Sequence, residues 1–367
     1  MTDKEIHQTK RRTVWILTYL PPNFGSGGVE RFVMNLAAAL QSAGHDVKII
    51  DSSSGRSKGS GIGGLRPLRA WQLGEKVNKM SSDDDVIICN GYFSWNAKRR
   101  KSVVIYHGTE LGRALATRST ASPLRNLAVR IVNSRLDRRA GEGRFVVTVS
   151  SITRDEVERL YGLRVDAVIP NGIDLEKFRP ATDKRRLREE LGLPMEKFLI
   201  LYAGPPDARK GYSFLIDEVR PRLKSTQNLI LTTETDSPLT GVIPVGRIGF
   251  DDISRYYQAC DAFVMPSLYE GCSFALAEAL ACGLPSVVSS AGSAADMLAD
   301  EILAKNVVTG LDSSAYVSRL TALEESVEER RLASEASRHF AERHFDIRDF
   351  NREYINLVNS LARRGDA

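Results

Sequence analysis

Cysteine is scarce in this chain, and nothing in its placement suggests pairing. Cys89, Cys260, Cys272 and Cys282 form no CxxC and show no metal-ligand spacing, which argues against a disulfide framework and predicts reduced thiols in a cytoplasmic protein. Long apolar runs are missing too. No stretch approaches the ~20 residues that a membrane-spanning helix requires. The opening MTDKEIHQTKRR is polar with no apolar core, so no secretory signal is expected. Heptad arrays and short repeats are absent. The glycines at 25, 27 and 28 do not give GxGxxG spacing, which disfavours a nicotinamide dehydrogenase. No RNA-binding aromatic motif occurs, and nucleic acid is not an expected partner. No His/Cys/Asp cluster suggests a metal site.

What is present is ordinary in bulk and uneven in distribution. Of 367 residues, 42% are apolar and 26% charged, values that fit a soluble globular protein and exclude a disordered or fibrous one. The length suggests two domains. Through Asp174 there are 27 Lys and Arg against 17 Asp and Glu; the remainder carries 24 against 29. A basic front half and an acidic back half fit a two-domain protein whose first domain faces something anionic, with a membrane surface, a phosphorylated acceptor and nucleic acid all compatible on charge alone.

Short Val- and Ile-rich runs alternate with helical patterns. Strands are expected at 13–20, 46–51, 86–90, 103–107, 145–150 and 165–170, with helices at 29–42 and 152–161. After a link at 171–177 the alternation restarts, with strands at 198–203, 229–233, 262–266 and 286–289 and helices around 212–219, 253–259 and 274–281. This pattern predicts an α/β chain of two doubly wound parallel sheets. The charged stretch after residue 313 reads as helical and packed on the outside. Residues 52–64 are rich in Gly and Ser and read as a loop, either a surface insertion or a lid. In 122–144, Leu127, Ala128, Ile131 and Leu136 follow helical spacing and are expected beneath Arg125, Arg130, Arg135, Arg138, Arg139 and Arg144; this is either a solvated face or one attracted to anionic lipid.

The sharpest local signal is the run from Glu270 to Glu278, EGCSFALAE. It follows an expected strand and opens a helix, so Glu270 sits in the loop at a strand's carboxyl end, where doubly wound sheets bind ligands. The helix opening near Ser273 aims its unpaired N–H groups the same way, an arrangement suited to phosphate. Two carboxylates beside a diphosphate are tolerable if they accept hydrogen bonds from hydroxyl groups, as sugars provide.

The stretch from Met265 to Val288 resembles the signature of the retaining, GT-B-fold glycosyltransferases of family 4, whose hallmark is a Glu-x7-Glu pair. Gly27-Gly28-Val29-Glu30-Arg31 is similar to that family's first glycine-rich loop, Pro170-Asn171-Gly172-Ile173-Asp174 to its interdomain link, and Lys210-Gly211 to its phosphate-binding turn. The resemblance implies two Rossmann-like domains facing a central cleft: an acceptor-binding domain over 1–172, completed by a C-terminal helix at 347–363, and a nucleotide-sugar domain over 173–346. It implies C-terminal helices packing back toward the first domain.

The same resemblance implies roles. Glu278 holds the nucleotide ribose and Glu270 the donor hexose. Backbone around Gly271, Cys272, Ser273, Phe274 and Ala275 binds hexose hydroxyls or the distal phosphate. Gly28 lets the first helix approach the diphosphate, and Lys210 neutralises it as the sugar bond breaks. His107 contacts the transferred sugar, and Arg247 and Ile248 belong to the base-binding turn. Where the family usually reads Gly-Arg-Leu, this chain has Gly204-Pro205-Pro206, so a second cation comes from Arg209 or Arg247, or neutralisation is weaker. Asp83-Asp84-Asp85 contains the DxD of another glycosyltransferase fold, but it precedes a strand and reads as a polar entry turn. The implied activity is a retaining, metal-independent and cofactor-free hexosyl transfer from a UDP- or GDP-linked sugar. The acceptor class is open: a lipid-linked glycan, a saccharide or a small molecule, in envelope polysaccharide assembly at the inner membrane face or in natural-product glycosylation. A sugar-nucleotide epimerase or coupling enzyme on the same fold, and a basic membrane- or RNA-binding module, are the competing readings.

Overall fold

The computed structural model describes residues 11–19, 27–52, 66–118, 123–235 and 237–363. The chain divides into two units, one of residues 1–172 with 348–367 and one of residues 173–347. The first unit holds β1 (Thr13–Thr18), β2 (Asp46–Asp51), β3 (Val86–Asn90), β4 (Ser102–Tyr106), β5 (Phe145–Thr148) and β6 (Ala167–Val168). All are parallel, in the order β2-β1-β3-β4-β5-β6. The second unit holds β7 (Phe198–Tyr202), β8 (Gln227–Leu231), β9 (Val242–Pro244), β10 (Ala262–Met265), β11 (Ser286–Ser289) and β12 (Val307–Val308). These are also parallel, in the order β12-β11-β10-β7-β8-β9. Each sheet therefore reverses its strand order once, between β1 and β3 and between β7 and β10, and such switch points open a crevice at the strands' carboxyl ends. The central strands β3, β4, β7 and β10 are buried at every residue, as expected of strands covered on both faces.

Several elements depart from expectation. The strand expected over 165–170 pairs only through Ala167–Val168. At its start the Asp166 carboxylate accepts from the Val146 N–H, so a side chain takes the place of a ladder carbonyl. The helices Ser313–Glu325 and Val327–His344 each keep one exposed face and bury the other. Tyr316, Leu320, Leu323 and Ala333 are buried in the core of the second unit. Of the C-terminal helices only Ile347–Arg363 joins the first unit, stacking Phe350 and Tyr354 edge-on against Phe32 at 5.5 and 5.6 Å. The segment 52–64 lies almost wholly outside the described residues. Among the described residues no helix is long and apolar enough to cross a membrane.

The arginine-rich segment keeps its expected polarity only in part: Arg130, Arg135, Arg138 and Arg139 are exposed and Leu136 packs against the core of the first unit, but other positions depart. Asn126, Ser134, Asp137 and Ala140 face inward, whereas Leu127, Ile131 and Val132 are 45–51% exposed. A π-helical turn at Val129–Asn133 inserts a residue into the helix and breaks the 3.6-residue register. The inward residues are held by hydrogen bonds: Asn126 Nδ2 donates to Ala114 O at 2.7 Å, and Asp137 Oδ2 accepts from the Glu110 N–H at 3.0 Å and the Tyr161 hydroxyl at 2.7 Å. Arg144, expected on the outside, is buried and donates to the Ala140 and Ala97 carbonyls.

Burial, reinforced by the Glu110 charge, pushes the Asp137 carboxyl up to about 7. An unfolded aspartate ionises near pH ~4. Between about pH 4 and 7 the folded chain thus keeps a proton the unfolded chain has lost, and this group's contribution to stability falls as pH rises through that window. The melting temperature of Asp137→Asn relative to the wild type should therefore increase between pH 4.5 and 8, roughly the span of that titration. A pH-independent difference in thermal unfolding would remove the buried acid from this account.

Candidate active site

The second unit concentrates its chemistry at the β7/β10 switch point. Beyond β7 the chain turns through Gly204-Pro205-Pro206. The Tyr202 hydroxyl donates to Pro205 O at 2.9 Å, and the Gly204 N–H donates to Thr232 Oγ1 at 3.2 Å. The Asp207 carboxylate then accepts from the Arg209 N–H at 2.7 Å and caps a single 3₁₀ turn, Ala208–Lys210. That turn ends at Gly211, whose φ is +72°; a Cβ there would sit 2.0 Å from Pro266 O. Only glycine lets the turn press this closely on the end of β10. The Leu268 N–H donates back to Arg209 O at 2.8 Å.

The loop after β10 is braced from the other side. Ser289 Oγ donates to Ser267 O at 2.5 Å, and the Ser293 N–H donates to Gly271 O at 2.8 Å. Gly292, at φ +59°, lies where a Cβ would come within 2.3 Å of Gly271 O. Between these supports Glu270 is 8% exposed. Its Oε1 is 2.7 Å from Lys210 Nζ and 3.6 Å from an Arg209 guanidinium nitrogen. Arg209 also donates to Tyr269 O at 3.0 Å. Arg209 thus reaches the carboxylate that Lys210 holds, from a turn that follows Pro205 and Pro206.

Gly271 is buried and Cys272 half-buried on the way to Ser273, whose hydroxyl accepts from the Leu276 N–H and caps the helix Phe274–Ala281. Phe274 is buried and Ala275 half-buried in its first turn. Glu278, on the same helix, is 3% exposed, and its Oε2 accepts from the Tyr257 hydroxyl at 3.0 Å. Tyr257 comes from the helix Ile253–Ala259 and packs against Phe178 and Phe263. No local pattern singled out Tyr257; its part depends on two helices meeting. Arg247 is exposed and Ile248 half-buried in the loop beyond β9, where Val245 N–H donates to Leu231 O. The four cysteines are free thiols; burial is the main cause that pushes Cys260 up to about 12 and Cys282 higher still.

Gly28 and His107 lie in the first unit. Gly28 opens the helix Gly28–Ser42, with Gly27 as its N-cap, and the Glu30 side chain folds back to where a Gly27 Cβ would stand. His107 is the first residue beyond β4. Its Nε2 is 2.9 Å from Asn90 Oδ1, its ring meets Phe32 edge-on at 4.5 Å, and burial pushes it down to about 4. Asn90 was legible only as the last residue of a strand. Asp83, Asp84 and Asp85 are engaged at the entry to β3: Asp83 and Asp84 pair with Lys98 and Lys101, and Asp85 accepts from the Trp15 indole and Ser82. Among the described residues no group of three or more His, Cys, Asp or Glu could hold a metal ion.

Two family models match. Residues 26–177 fit the model described as Glycosyltransferase Family 4, and residues 197–326 that described as Glycosyl transferases group 1. This chain is a GT-B glycosyltransferase of the family 4 type. A D-inositol 3-phosphate glycosyltransferase of Xylanimonas cellulosilytica is 27% identical over 83% of this chain and 84% of its own length. Among solved structures, sucrose-phosphate synthase from Thermosynechococcus elongatus superposes with a TM-score of 0.79 at 19% identity, over 96% of this chain and all of that one. Anabaena HepE in complex with UDP-glucose gives 0.69 at 18%, over 95% and 99%. At these identities the structural likeness concerns the fold.

The close approach at Gly211 yields a structural test of the Ala208–Gly211 turn of this glycosyltransferase. Gly211→Ala imposes both a strained φ and a clash with backbone, so it should destabilise the protein by about 2 kcal/mol or more, read as a lowered urea midpoint. A variant as stable as the wild type would show that the turn is not locked.

Proposed function

We propose that this glycosyltransferase moves a hexose from a UDP- or GDP-linked sugar to an acceptor hydroxyl, with retention of anomeric configuration and without a metal ion or other cofactor. One observation carries the reading: the Glu270 carboxylate, nearly withdrawn from water, with Lys210 and Arg209 upon it at the second sheet's switch point and beside the Ser273 helix start. A carboxylate in that position accepts hydrogen bonds from hexose hydroxyls. The two cations and the helix N-terminus meet the negative charge that grows on the departing diphosphate, the work a metal ion does elsewhere. Glu278, steadied by Tyr257, takes the ribose hydroxyls. In the transfer the acceptor oxygen bonds to the anomeric carbon, the bond from that carbon to the phosphate oxygen breaks, and the acceptor's proton passes to the leaving phosphate on the same face. Glu270 is committed to its cations and serves as a binding group instead of a covalent nucleophile.

The basic first domain takes the acceptor, for which a phosphorylated or lipid-linked molecule fits best. The relative named for D-inositol 3-phosphate and the neighbour holding UDP-glucose support an anionic acceptor and a nucleotide-sugar donor. The exposed Leu115, Leu127, Ile131 and Val132, beside exposed Arg130, Arg135, Arg138 and Arg139, suit an anionic membrane surface. We place the protein in envelope polysaccharide assembly, in the cytoplasm at the inner face of the membrane.

A thermal-shift screen of UDP- and GDP-sugars, followed by detection of released nucleoside diphosphate, identifies the donor. With that donor, Glu270→Ala should lower kcat by about 100-fold or more; near-wild-type turnover would overturn the site. An inverted product anomer by NMR would overturn retention, and loss of activity in EDTA restored by a divalent ion would overturn metal independence. Tyr257→Phe should raise the donor KM about fivefold to tenfold by removing a hydrogen bond to a charged group, with kcat little changed; an unaltered KM would release Glu278 from its assigned part.

A further inference from the structure

The first unit carries a second constellation, at the ends of β3 and β4. Asn90, the last residue of β3, is 3% exposed. Its Nδ2 donates to Leu17 O of the neighbouring β1 at 2.9 Å, which fixes the amide's orientation and turns Oδ1 toward His107. An amide oxygen can only accept, so the 2.9 Å contact requires His107 Nε2 to carry the proton. The Phe32 ring, itself fully buried and backed by Phe350 and Tyr354, closes one side of the imidazole edge-on. Burial alone acts on the ring's ionisation. The neutral form that results has its proton on Nε2 and its lone pair on Nδ1.

We propose that Asn90 is the positioning residue of His107: through the Leu17 carbonyl it locks the imidazole as the Nε2–H tautomer and presents Nδ1, as a hydrogen-bond acceptor only, to a carbohydrate hydroxyl at the carboxyl edge of the first sheet. The use of Nδ1 rests on the glycosyl-transfer reading; the locking of the ring does not. The sequence could not show this, because Leu17 and Asn90 lie in two strands, His107 follows a third, and they are 73 and 17 residues apart.

The test uses the full chain with ¹⁵N-labelled histidine. Five histidines are present, and the His107 signals are assigned by their loss in His107→Gln. In the wild type at pH 7 they should report a neutral ring protonated on Nε2. Asn90→Leu removes the acceptor and should give mixed tautomers, with transfer slowed about tenfold. Asn90→Asp keeps an acceptor at the same place but adds a negative charge, which favours the imidazolium. It should keep Nε2 protonated, move the His107 titration upward and make transfer fall at acid pH while recovering at alkaline pH. Asn90→Asp also serves as the conservative variant should Asn90→Leu fail to fold. A wild-type ring protonated on Nδ1, or a tautomer unchanged in Asn90→Leu, overturns the proposal whatever the turnover. If the tautomers behave as stated while His107→Gln transfers at the wild-type rate, the lock stands and the part given to His107 in transfer falls. A loss confined to the donor KM or to the acceptor KM tells which sugar meets Nδ1.

Discussion

The second unit of this molecule depends on one buried carboxylate and the cations that make its burial tolerable. An ionised glutamate withdrawn from water costs several kcal/mol unless it is paired and hydrogen-bonded. Glu270 is paired with Lys210 and Arg209, which arrive from a different part of the chain. The two segments meet because β7 and β10 are hydrogen-bonded neighbours in the sheet, and the chain leaves both at the same edge. The reversal of strand order makes that edge a crevice. Charge compensation and topology therefore fix the same point: the crevice at the switch point is also where the protein balances its own charges.

Rigidity around that point comes from backbone meeting backbone. Gly211 lies against Pro266 and Gly292 against Gly271, while the Tyr202 hydroxyl holds the turn at Pro205. Such contacts leave few alternative positions for Lys210 and Glu270, and a site whose groups are placed in advance loses little freedom when charge develops in the transition state. The first unit uses the same device on a smaller scale, with Asn90 and His107 projecting from adjacent strand ends and Phe32 closing the ring's side.

How much of this could be read from residues alone varies with how local the cause is. The helix Phe274–Ala281 and its cap at Ser273 are written in consecutive residues, and the strands announce themselves through unbroken Val and Ile. Around Leu127 helical spacing does not set the inward face; a π turn and the hydrogen-bonding demands of Asn126 and Asp137 do. The helices after residue 313 look charged, yet Tyr316, Leu320 and Leu323 suffice to bury one side, and a sparse apolar stripe is easily outweighed in composition by its polar face.

The amino-acid order by itself determined the alternation of strands and helices, the helix that opens at Ser273 and the two glutamates, one before that helix and one within it, because each follows from residues within about a dozen positions. Only the tertiary structure decided that Lys210 and Arg209 share Glu270, that Tyr257 supports Glu278 and that Asn90 governs the protonation of His107. Those contacts join residues 17 to 73 positions apart, mostly through strand pairing and helix packing. Nothing in the separate segments encodes which ends come to lie together.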